Sequence, residues 1–155
     1  MRKSTKNKFW ILIVIAILLT CIYLFGQTMA FINYDFTVAM GLQEPAEEIT
    51  EVGVAFNKGF GFGDTIVYIP FLLVGIIGMI KKKYWGLFSM FGALAITIYW
   101  PVVCLSTLIF AKSSPGFGFT DYLSYSILLP IICLYGLWGL LFIYKNRNEL
   151  IKTTT

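Results

Sequence analysis

Polar positions nearly vanish from four stretches of the chain, residues 9–26, 63–80, 84–110 and 121–144. At ~1.5 Å per residue each covers most of a ~30 Å hydrocarbon core. Soluble cores contain apolar helices, but not four of this length joined by charge-marked loops. The pattern predicts an all-α polytopic membrane protein, a four-transmembrane-helix bundle in which 1–155 form a single integral membrane domain and 27–62 a long outer loop. Pro101 offers the third span a place to bend. Within the loop, Pro45 followed by Glu47 and Glu48 predicts a short amphipathic helix, with Ile49, Val52 and Phe56 on one face.

Composition agrees with the pattern. Apolar residues make up 58% of the chain and charged ones 13%, about half the charge with which a small soluble domain coats itself. A cytosolic globular enzyme is thereby excluded. Histidine is absent, which removes His-ligated zinc or haem and every Ser-His or Cys-His catalytic pair. Cys21, Cys104 and Cys133 fall inside spans without a CxxC spacing, as buried thiols rather than a disulfide framework.

The distribution of charge sets orientation, because Lys and Arg are retained on the cytoplasmic side. Ten of the twelve basic residues flank the first span's start, the 81–83 turn or the last span's end. Lys58 and Lys112 share the other loops with seven of the eight acids. A multi-pass protein of the cell membrane with both termini cytoplasmic is the expectation. Its pI of about 9.0 then reflects topology, and no nucleic-acid partner is expected. A competing reading makes residues 1–30 a cleaved leader ending at Thr28-Met29-Ala30.

The most specific signal is an internal repeat. Residues 59–68 read GFGFGDTIVY and residues 116–125 read GFGFTDYLSY. The matches include Asp64 with Asp121 and Tyr68 with Tyr125. The repeat predicts two tandem helix hairpins related as a parallel pseudo-repeat, each motif at the outer mouth of an inward-running helix. Each Asp is then an N-cap candidate, with its Tyr one turn deeper. If the two loops converge, Asp64 and Asp121 form a metal site of hard oxygen ligands for a cation, or share a proton for acid-base work. Polar residues crowd the outer half of the spans, which predicts an outward-facing cavity. Asp64, Tyr68, Asp121, Tyr125, Tyr99 and Trp100 are its candidate ligand-binding residues.

From these readings the leading expectation is a non-enzymatic membrane protein that binds or transports a small ligand, ion or lipid, with no cofactor beyond a cation at the Asp pair. One alternative is a structural or assembly subunit that docks a membrane-protein partner or a second copy through its outer loop and glycine-rich faces. Another is a lipid-modifying enzyme using the carboxylate pair. The topology resembles that of claudin-like tetraspan proteins, without their paired outer-loop cysteines.

Overall fold

The computed structural model describes residues 2–118 and 122–151, and of Tyr122 the backbone only. Most of these are helical, with no strand among the described residues. In chain order the helices are α1 (Lys3–Ile32), α2 (Tyr34–Ala39), α3 (Ala46–Ile80), α4 (Tyr84–Ala111) and α5 (Tyr122–Leu150). All but the short α2 are long and apolar enough to cross a membrane. Four helices of this length and composition point to a multi-pass membrane protein. Large apolar side chains remain exposed along the outside of α1, α3, α4 and α5, among them Ile22, Phe88 and Phe110, as lipid-facing helices require.

The inner seam follows helical spacing. On α1, Phe9, Leu12, Ala16, Leu19 and Tyr23 are buried, three or four residues apart and so on one face. They join Leu72 and Met79 of α3, Met90 and Leu94 of α4, and Ile143 of α5 in a single core. Phe9, Met79, Leu87 and Leu150 belong to that core, and the Arg2 guanidinium pairs with Glu149 at 2.7 Å. The described chain ends and the 81–83 turn therefore share one end of the bundle, here the basic end. Residues 33–50 and 112–118 form the opposite, loop end.

Glycines set how closely the helices approach. A Cβ on Gly78 would lie 2.3 Å from the Gly86 Cα, and one on Gly86 only 2.2 Å from the Gly78 carbonyl carbon, so α3 and α4 cross backbone on backbone. A Cβ on Gly75 would likewise lie 2.9 Å from the Met90 backbone, whereas one on Gly139 would meet the side-chain ends of Leu94 and Leu12.

The turn from α3 to α4 is a Schellman closure. Lys83 N–H donates to the Gly78 carbonyl and Lys82 N–H to that of Met79, with Lys82 at φ 54°. A left-handed residue is disfavoured unless it is glycine. Lys82→Gly is accordingly expected to stabilise the fold by about 1 kcal/mol, read as a higher Tm in micelles. An unchanged or lower Tm would remove the strain assigned to Lys82.

Three expectations need correction. Residues 27–62 are not a continuous loop: α1 runs on to Ile32, and α3 begins at Ala46. The connection is instead α2 with its flanking turns, Asn33 capping α2 by accepting from Phe36 N–H and Gly41 supplying φ +66°. Residues 59–63 are helical, whereas 116–118 are not, Gly116 having φ +77°. The two copies of GFGF thus differ in backbone where both are described. Asp64 does not cap a helix either; it lies inside α3, 6% exposed. Glycine's low helix propensity made 59–63 read as loop, but Gly61 sits against α1, where a Cβ would fall 2.3 Å from the Gln27 carbonyl oxygen.

The amphipathic helix after Pro45 does form, with a break. Thr50 adopts φ 67°, ψ 165°, so the next turn is rotated relative to the first. Ile49 is buried while Val52 is exposed, and the two do not share a face. The break frees the Glu48 carbonyl, which accepts Gly118 N–H at 2.8 Å and ties the α4–α5 connection to the start of α3.

Candidate functional site: a cavity beneath a polar cap

α1 and α5 touch only lightly. Toward the basic end they are held together where Tyr135 donates to the Leu12 carbonyl at 2.9 Å. Toward the loop end they flank a cavity of about 470 Å³, walled by Ile15, Leu19 and Ile22 of α1 and by Leu128 and Ile132 of α5. Phe56 of α3 and Trp100 and Cys104 of α4 complete the wall. Ile22 and Leu128 are both more than half exposed, so the cavity opens sideways between α1 and α5 as well as toward the loop end.

Gly26 adds to the space. It lines the cavity, and a Cβ built there meets nothing within 4 Å. It belongs to a π-helical turn, Leu24–Thr28, which faces a second one, Asp64–Tyr68, in α3. Such turns insert an extra residue and shift the hydrogen-bond ladder. Thr65 spends its proton on the Gly61 carbonyl at 2.7 Å, so in the 2.8 Å contact between Thr28 and Thr65 Thr28 is the donor.

Over the apolar walls lies a connected polar cap. Tyr125 donates to Glu44 Oε1. Asn57 Nδ2 is shared among Gln43 Oε1 at 3.0 Å, Tyr34 Oη at 3.2 Å and Glu44 Oε2 at 3.5 Å. Tyr34 donates to the Glu44 carbonyl at 2.8 Å, and Gln43 Nε2 reaches the Gly26 carbonyl at 3.3 Å. Burial pushes the Tyr34 hydroxyl above the ordinary phenol range, against the hydrogen bond from Asn57 and together with the nearby Glu44 charge. It stays a neutral donor. The Lys58 ammonium lies over the Tyr34 ring, 5.5 Å from its centroid. Among the described residues no basic side chain pairs with Glu44.

The sequence-predicted site residues are dispersed. Trp100 and Tyr125 line the cavity. Tyr99, 65% exposed, is not on its wall. Tyr68 is 1% exposed and bonded to Thr97 at 2.7 Å, a packing position away from the wall. Tyr68→Phe is expected to cost about 1 kcal/mol and to leave cavity binding intact. A variant as stable as the parent would show that the Thr97 bond contributes nothing. Asp64 is buried, and its Oδ2 has no hydrogen-bond partner among the described residues. Asp121 lies outside the described residues, so the expected carboxylate pair and its cation have no described geometry. Among the described residues no cluster of three or more His, Cys, Asp or Glu could hold a metal.

Sequence reasoning missed Glu44, Gln43 and Asn57. They lie within the stretch read as a long outer loop, just outside its predicted amphipathic helix, and the only signal was their polarity amid the apolar residues Leu42, Val54 and Phe56. Comparison of the chain with protein-family models, with curated proteins and with solved structures finds no significant match. The fold defines an all-helical class, with four helices long and apolar enough to cross a membrane and a capped, laterally open cavity between two of them.

Proposed function

We propose that this protein resides in the cell membrane with both termini cytoplasmic and binds an amphiphilic, lipid-like ligand in the cavity between α1 and α5. The observation that carries the reading is the division of that cavity into apolar walls and a polar cap at one end. An alkyl chain gains stability along such walls at roughly 25 cal/mol per Å² removed from water, and the cap offers fixed polar groups that orient a head. The volume falls in the range of small-molecule sites, and the lateral opening lets the chain arrive from the bilayer. Orientation rests on the basic residues gathered at the end shared by the 81–83 turn and the described chain ends. The six identities between 59–68 and 116–125 support descent of the two hairpins from one duplicated unit, which has since diverged around its glycines.

Photolabelling tests the proposal. A single-chain amphiphile with a diazirine along its chain, added at low molar ratio to the protein in neutral micelles, is expected to label Ile15, Leu19, Leu128 and Ile132 preferentially. Uniform labelling of lipid-facing positions such as Ile11, Phe88 and Ile109 would overturn it.

A further inference from the structure

The polar cap also selects a head group, and this inference rests on the cavity reading above. A carboxylate accepts about four hydrogen bonds. Those described at Glu44 are one from Tyr125 to Oε1 and a long one, 3.5 Å, from Asn57 to Oε2. Acceptor capacity is left over. The donors around the carboxylate are neutral, so its charge has hydrogen bonds but no counter-ion among the described residues.

The wider field has the same sign. At the loop end, the described residues Asp35, Glu44, Glu47, Glu48 and Glu51 face only Lys58 and Lys112 as basic groups, and Lys58 is already over the Tyr34 ring. Acidic excess around a cleft concentrates cations and repels anions. The space under the cap, about 470 Å³, suits one alkyl chain rather than the paired chains of a bilayer phospholipid.

From these observations we infer that the occupant is a single-chain amphiphile with an ammonium head, seated with its nitrogen on Glu44 and its chain along the α1–α5 walls. A protonated amine uses the unused lone pairs of Glu44 and supplies the missing counter-charge in one contact. A fatty-acid anion meets repulsion at the same place, and an alcohol gains only a neutral hydrogen bond. Charge-assisted hydrogen bonds are about twice as strong as neutral ones, which sets the scale of the expected preference.

The test uses the full chain in neutral-detergent micelles, titrated with dodecylammonium, dodecanol or laurate and followed by tryptophan fluorescence. Dodecylammonium is expected to bind about tenfold more tightly than dodecanol, with laurate weakest. In Glu44→Gln the ammonium preference should vanish while dodecanol affinity stays within about twofold, an internal check that the cavity is still formed. Equal binding of all three probes by the parent, or a preference that survives Glu44→Gln, overturns the ammonium assignment and leaves the cavity reading standing. Saturable binding of none overturns both.

Discussion

Leucine at Gly86 is expected to disrupt the fold, lowering stability by about 3 kcal/mol or more, at the upper end of what overpacking costs. The neighbours are backbone. A Cβ at 86 would lie 2.2 Å from the Gly78 carbonyl carbon and 2.4 Å from Met79 N, and main chain cannot step aside as the end of a flexible side chain does. α3 and α4 would have to separate along the seam that also packs Gly75 on Met90, and the core shared with α1 would open with it. Gly78→Leu should behave alike, since a Cβ there meets the Gly86 Cα at 2.3 Å and the Trp85 ring at 2.5 Å. Gly59 and Gly63 are the matched controls: a Cβ on either meets nothing within 4 Å, so alanine there should gain up to about 1 kcal/mol of helix propensity. Circular dichroism melts in one detergent would separate the pairs. Similar Tm values for all four variants would remove the close crossing of α3 and α4.

Phenylalanine at Gly26 is expected to abolish binding in the cavity, by at least tenfold in affinity, without loss of fold. Gly26 lies on the α1 wall with open space where its side chain would be, so a benzyl group enters the cavity instead of colliding with a neighbour. Occupied volume is lost to the ligand, and the apolar contact it would have made is made by the ring. Stability should hold or rise, because glycine in a helix interior is unfavourable. Gly26→Ala fills little of the space and should bind nearly as the parent does. A Gly26→Phe protein that melts normally and binds undiminished would place the ligand elsewhere.

The spans were legible because each is a long apolar run, and a bilayer leaves few alternatives for such a run. Their ends were less so. α3 extends from Ala46 through 59–63 to Ile80 because Gly61 is needed against Gln27, a tertiary contact that propensity does not contain. Both π-helical turns were invisible for the same reason: they arise where α1 and α3 meet, and Thr28 and Thr65 carry no local mark of that pairing. Trp100 and Tyr125 could be placed near a cavity from their depth in the spans. Glu44 and Asn57 could not, since their roles depend on α2 and its flanking turns folding back over the bundle, where Tyr34 reaches the Glu44 carbonyl. Asp64 drew attention as a charged residue beside a membrane span, and it is buried, yet the cavity wall does not include it.

The most direct test leaves Trp100 as the sole tryptophan, with Trp10, Trp85 and Trp138 changed to Phe, and adds an alkylammonium brominated along its chain to the protein in neutral micelles. A ligand seated between α1 and α5 should quench Trp100 saturably, near one equivalent per chain, and Gly26→Phe should erase that phase. Quenching that rises without saturation, and equally in Gly26→Phe, would mean that the chain merely samples the surrounding micelle and that no binding cavity exists.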